Sequence, residues 1–235
     1  MKVDLTSPNP ALISIIKHPE QVITLDANFL IPPDRSRFTK NSFDFPLFQK
    51  IWLDPVFTAF SNLAIHEAVY DELILPAVQS YIKSMIDSKP PRLSVHKDSS
   101  LKSEERVIRE AIENKIFPLT NYDPMIDNKD DRGEVKSLAY IAVKGLIYFA
   151  AHDTNTIQLI EKAEEWFTGL DNVKAIKMYE LIFYLYKTGI GEKRSLRMLY
   201  KYQYHLTPNE KISNPEWSQF IGLMESLYSF GMLDA

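Results

Sequence analysis

Two short apolar runs end on a carboxylate. Val22-Ile-Thr-Leu25 leads into Asp26, and Leu146-Ile-Tyr-Phe-Ala-Ala151 leads through His152 into Asp153. Each run reads as a buried strand. A buried strand does not need an acid at its end, and burying an unpaired one is costly. One explanation is structural: Asp26 caps a helix beginning at Ala27 or Asn28. The other is that both acids belong to a group gathered round a metal. Further acids stand where they could join it: Glu72 in the stretch Ala68-Val-Tyr-Asp-Glu-Leu73, and Asp131 and Glu134 in Asp131-Arg-Gly-Glu134. The last pair is three residues apart at a helix start and shares a face. The helix dipole favours carboxylates there, which is also a purely structural reason for them. Converging carboxylates repel one another unless cations neutralise them, and an all-oxygen ligand set suits Mg²⁺ or Mn²⁺.

The elements that must position these acids follow from the apolar pattern. Strands are predicted at 21–26, at Leu63-Ala-Ile65 and over the run ending at Asp153. The stretch 47–63 predicts a helix split near Pro55, and the helical pattern from His66 is broken at Pro76. Residues 101–117 are predicted to form an amphipathic helix, 120–133 a polar loop, and 131–144 a helix stopped by Gly145. Strands alternating with helices imply an α/β fold with a parallel sheet and helical crossovers. Ligands of open parallel sheets gather at the carboxyl ends of the strands, where Asp26 and Asp153 are expected. Beyond about residue 170 the pattern is all helical, with candidates at 173–189, 192–206 and 214–230. The expected organisation is an α/β domain over 1–168, with a polar insertion at about 88–130, and a helical extension over 169–235.

Composition bounds the chemistry. The 235 residues are 45% hydrophobic and 25% charged, with a net charge of −4 and no cysteine. Disulfides, thiolate catalysis and cysteine-based zinc sites are excluded, and a reducing cytoplasm is the expected setting. No apolar run approaches the ~18 residues of a membrane span, and the N-terminus lacks the apolar core of a signal peptide. The acidic balance disfavours a plain DNA-binding module but not a nuclease built on clustered acids.

Taken in order, the acidic segments resemble a PIN domain. VITLDANFLIP is similar to the family's opening strand with its first Asp, AVYDEL to the second acidic motif, DRGEVKSLAYIAVKG to the third and GLIYFAAHDTN to the fourth. The matching pieces cover roughly residues 21–165. The chain departs from a minimal PIN domain in its length, in the wide gap between Glu72 and Asp131, and in the tail beyond 170. His152 also stands where many relatives carry a polar or acidic residue. The second acidic position is open among Glu67, Asp71 and Glu72. The resemblance implies a Mg²⁺- or Mn²⁺-dependent endoribonuclease that hydrolyses RNA with a metal-activated water, many relatives being toxins of toxin–antitoxin pairs. It implies Asp26, Glu134 and Asp153 as metal ligands, with Glu72 and Asp131 as further ligands or water-positioning groups. Asn28, Thr154 and Asn155 would orient ligands or contact a phosphate. An inhibitory protein partner and a homodimer are further expectations, and a membrane is not.

The segment 191–205 interleaves Lys193, Arg194, Arg197 and Lys201 with Tyr200, Tyr202 and Tyr204. Such a pattern can hold single-stranded RNA through phosphates and stacked bases. It also fits an amphipathic helix with core aromatics and solvated cations. Two other functions share the α/β reading. A catalytically inactive PIN-like scaffold would bind nucleic acid or protein, and its acids would stand too far apart for one cation to bridge. A phosphatase for a small molecule would need a deep closed pocket.

Overall fold

A computed structural model describes residues 2–40 and 43–228. Within them the chain alternates between two compact units. One comprises Val22–Ile31 and Asn62–Ala175; the other comprises Met1–Gln21, Pro32–Ser61 and Ile176–Ala235.

The first unit holds a parallel sheet flanked by helices. Its strands are β1 (Ile23–Leu25), β2 (Leu63–His66), β3 (Leu93–His96), β4 (Tyr148–Ala151) and β5 (Lys174–Lys177), in the order β3-β2-β1-β4-β5. β5 runs across the change from one unit to the other. Every residue of β1, β2 and β4 is buried, as expected where helices cover both faces of a parallel sheet. β1 is central, pairing Thr24 with Ala64 of β2 and Leu25 with Ala150 of β4. The Asp26 amide extends the ladder by one bond, donating to the Ala150 carbonyl at 3.0 Å. The carboxyl ends of the three strands are therefore level, and Asp26, Glu67 and Asp153 leave from the same end of the sheet.

Pro76 splits the helical pattern after β2 into Glu67–Glu72 and Pro76–Asp87. The loop 121–131 enters the helix Arg132–Lys144 through Asp131, which has a left-handed backbone (φ 55°), and Gly145 (φ 64°) ends that helix in the same conformation. Helix Arg132–Lys144 packs on both Glu67–Glu72 and Ser103–Ile116. Two strands depart from the sequence reading. β3 lies in the stretch taken as a polar insertion, because on this edge strand only Leu93 is fully buried and the apolar signal is faint. β5 occupies residues expected to open a helix, because its apolar pair Ala175 and Ile176 merges without punctuation into the helix Met178–Thr188.

The second unit is helical apart from its share of β5. The predicted split helix is Phe45–Phe48, a π-turn Gln49–Leu53 and Asp54–Ala59, with Pro55 at the start of the last piece. Helices Pro10–Lys17, Met178–Thr188, Lys193–Tyr204, Pro208–Ser213 and Trp217–Tyr228 complete it. Residues 229 and 230 of the helix expected over 214–230 lie outside the described residues. The aromatics form the core: Trp52, Tyr179, Tyr200, Tyr204 and Phe220 are buried, and Tyr200 stacks on Phe220 at 4.4 Å between ring centroids. Among the described residues, no helix is long and apolar enough to cross a membrane.

Candidate functional site

The acids of the first unit occupy the carboxyl end of the sheet. Asp26 is 1% exposed; its Oδ1 accepts from the Ala27 amide at 2.7 Å and its Oδ2 from the Asn28 side chain at 3.0 Å. It does cap a short 3₁₀ turn, Ala27–Phe29. Asp153 caps the helix Thr154–Glu161, with its Oδ2 accepting from the amides of Asn155 (2.6 Å) and Thr156 (3.0 Å). Glu72 closes its helix, and its Oε1 accepts from the Gly133 amide at 2.6 Å. A methyl group on Gly133 would stand 2.6 Å from the Glu72 carboxylate, so glycine is what lets this acid seat against the helix Arg132–Lys144. Glu134, the next residue, is 9% exposed.

Backbone amides thus hold three acids, but they do not neutralise the group. Burial pushes the Asp26 carboxyl up to about 6, with repulsion from Asp153 acting in the same direction. Burial pushes Glu72 up to about 7, with Asp26 and Asp131 adding to the shift. Glu134 goes furthest, to about 9, through burial and then through repulsion by Asp26, Asp153 and Asp131; a hydrogen bond with the Thr156 side chain opposes this. Asp26, Glu72, Glu134, Asp131 and Asp153 therefore form one electrostatic group.

The geometry separates the three acids left open at the second position. Glu72 is the one beside Asp26 and Gly133. Glu67 Oε1 instead accepts from the Asp98 amide at 2.8 Å, and Asp71 is exposed, 3.8 Å from Arg132. Asp131 sits at the border of the group, where its Oδ2 accepts from the backbone and side chain of Asn121 at 2.8 and 2.9 Å. Asn28 is placed by its bond to Asp26, while Thr154 is exposed and Asn155 bonds to Asp153 through its backbone. Thr156 escaped the sequence reading. It is fully buried beside Asp153 and Glu134, and its place three residues after a capping Asp was the available signal.

Among the described residues, the trio of potential metal ligands whose donor atoms all lie within 4.8 Å of one another is His66, Glu67 and Asp98. Asp26, Glu134 and Asp153 stand wider than that. Geometry alone would favour the first trio, but Asp98 in it already has a cation and Glu67 a backbone amide. Fully buried His66 accepts from the Ala68 amide through Nδ1 and meets Asp98 through Nε2 at 3.2 Å. Arg109 lies 3.0 Å from Asp98 and also pairs with Glu113. Burial, helped by the neighbouring His66, holds His96 down at about 4, so its ring is neutral when it meets Thr24 Oγ1 at 3.1 Å and stacks on Tyr140. The donor set whose chemistry suits a hard divalent cation is the acid group, which is all oxygen and in which Arg132 acts on Glu72.

Of the basic side chains singled out at 193–197, Lys193 lies over the Tyr186 ring at 5.0 Å from its centroid. Arg194 and Arg197 are exposed on the helix Lys193–Tyr204. Compared with models of protein families, with curated proteins and with solved structures, the chain matches none of them.

Proposed function

We propose that the acid group is a Mg²⁺ or Mn²⁺ centre and that the protein is a metal-dependent endoribonuclease. The observation that carries this reading is Glu134 and its neighbours: buried carboxylates pushed up by burial and by one another, at the ligand-binding end of a parallel sheet. Repulsion of this kind is relieved by a proton or a cation. Asp26, Glu134 and Asp153 would hold the cation, with Glu72 and Asp131 as further ligands or water-positioning groups. When bound, the metal would supply charge neutralisation and a water of lowered pKa for attack on a phosphodiester. The chain's own residues set the stage: Asn28 orients Asp26, Thr156 sits between Glu134 and Asp153, and Gly133 leaves room for Glu72. The choice of RNA rests on the resemblance of the four acidic segments to PIN domains.

A second reading has its own support. Asp26 and Asp153 each cap a turn or helix, and the proposed ligands stand wider than 4.8 Å. These features suit a PIN-like scaffold that binds nucleic acid or protein without cleaving it. The test is cleavage of a mixed RNA panel in Mn²⁺, Mg²⁺ or EDTA, comparing the wild type with Asp26→Asn. We expect cleavage with metal, none in EDTA, and a loss of about 100-fold or more in the variant. No cleavage under either metal, with Mn²⁺ affinity unchanged in the variant, would leave the scaffold reading in place.

A further inference from the structure

The helical unit contains a groove that neither the acid group nor its proposed chemistry uses. It has a volume of about 940 Å³ and lies along one face of the helix Lys193–Tyr204, with sides from Thr39, Phe43 and Leu47 and from Leu206 and Lys211. Four cations line it: Arg194, Arg197, Lys201 and Lys211. The first three recur on one stripe of the helix, at spacings of three and four residues. All four side chains are exposed, and none is paired with a carboxylate among the described residues. Among the described residues, the only acid lining the groove is Glu192, which bonds to Ser195. Glu210, the nearest acid on the helix Pro208–Ser213, is engaged elsewhere, 2.5 Å from Arg35. In a chain of net charge −4, this is a local excess of positive charge.

The floor has a different character. Phe43 and Tyr202 are buried and meet edge to face at 4.6 Å, with Met198 and Leu206 beside them. Tyr202 is 7% exposed, yet its hydroxyl has no hydrogen-bond partner among the described residues. His205 lines the same groove, and its buried Nε2 also lacks one. Buried polar atoms are rarely left unsatisfied, and those that are call for an explanation. Here two of them share a groove that has an apolar floor and a cationic rim.

We infer that this groove binds single-stranded nucleic acid, with backbone phosphates on Arg194, Arg197, Lys201 and Lys211 and a base against the apolar floor, where a small shift of the Tyr202 and His205 side chains would bring their buried hydroxyl and Nε2 to its polar edge. The parts match the ligand. Phosphates need cations that are not already paired. An unstacked base offers a flat apolar face with donors and acceptors at its rim, whereas a duplex keeps its bases stacked and turned inward. A plain anion would use the rim and leave the floor and the two unpartnered atoms unexplained.

The site stands on residues of the helical unit alone, so it can be tested without the metal centre. The experiment is fluorescence anisotropy of the full chain in EDTA, with a labelled 12-nucleotide single-stranded RNA, the same sequence as DNA, and the RNA duplex, over a range of KCl. We expect single strands to bind with an affinity that falls with salt, at about 0.7 in log–log slope per phosphate contacted. The double variant Arg194→Glu/Arg197→Glu should weaken binding at least tenfold and flatten that slope. Tyr202→Phe removes only the hydroxyl, and should weaken binding several-fold with the slope unchanged. Equal affinity for the two single strands would mean that base and phosphate are read; preference for RNA would add the ribose hydroxyl. The inference is overturned if the wild type does not bind, if the variants bind as it does, or if the duplex binds as tightly as single strands. Any of these would leave the proposed hydrolysis at the acid group untouched.

Discussion

Around Asp98 unlike groups alternate: Arg109 pairs with it, Glu113 closes the row on the far side of Arg109, and His66, whose Nδ1 accepts from the Ala68 amide, meets Asp98 through Nε2. Around Glu134 like groups repeat, with Asp26, Glu72, Asp131 and Asp153 all bearing the same sign. Both groups belong to the sheet unit, and each combines buried with half-buried side chains. The Asp98 group has the tighter ligand geometry and the Glu134 group the unmet charge. Closeness of donor atoms therefore marks a site poorly here, because side chains that satisfy one another also draw close. A group of like charges that raises its members' pKa values despite the backbone amides bonded to them is better evidence of a missing partner.

The contrast can be broken by deleting one charge from each group. Arg109→Met keeps the bulk of a 9%-exposed side chain and leaves Asp98 and Glu113 without their cation. Urea unfolding should show a loss of about 3 kcal/mol, the low end of what breaking a buried pair costs, since Asp98 is only partly buried. Glu134→Gln should act in the opposite direction. With its carboxyl at about 9 in the fold against an ordinary 4.5, the folded chain holds a proton that the unfolded chain releases. This term is absent below pH 4.5 and destabilises the metal-free protein increasingly as pH rises toward 9. The variant should therefore gain on the order of 2 kcal/mol at pH 8, nothing at pH 4, and show a flatter fall of Tm with pH. Destabilisation at pH 8 would mean that Glu134 is satisfied and that the two groups are alike after all.

The smallest effect sharpens the picture at Glu72. Gly133→Ala favours the helix by about 1 kcal/mol but drives the Glu72 carboxylate off the Gly133 amide, a bond worth about 1.5–3 kcal/mol. A net loss of about 1 kcal/mol in urea unfolding is expected, together with weaker Mn²⁺ binding. A stabilised variant with unchanged Mn²⁺ affinity would place Glu72 outside the site.

Much of this was legible in the chain, because local physics wrote it. Asp26 and Asp153 stood out as acids closing apolar runs, Pro76 split its helix and Gly145 ended another, as their backbone preferences require. β3 and β5 were not legible, one because an edge strand needs little apolar surface, the other because it adjoins a helix without a break. The row His66, Asp98, Arg109 and Glu113 was invisible for a different reason. Its members are far apart along the chain and meet only through the pairing of β2 with β3 and the helix that follows. Glu72 could not be told from Glu67 and Asp71 until the neighbouring helix brought Gly133 against it.

The alternation of the chain between its two units has a consequence for biosynthesis. Translation delivers residues in order, at about 5–20 per second. Everything the sheet unit needs, its last strand included, has left the ribosome once Lys177 has. The helical unit opens with residues 2–21 and 32–61 and closes with 176–228. The π-turn Gln49–Leu53 and the helix Asp54–Ala59 pack on Lys193–Tyr204 and Met178–Thr188, which are made last. For more than a hundred residues of elongation, Trp52 and Phe57 must wait without those partners. The sheet unit, with its acid group, can assemble first, and the first-made half of the helical unit is the part of the nascent chain that most needs shelter.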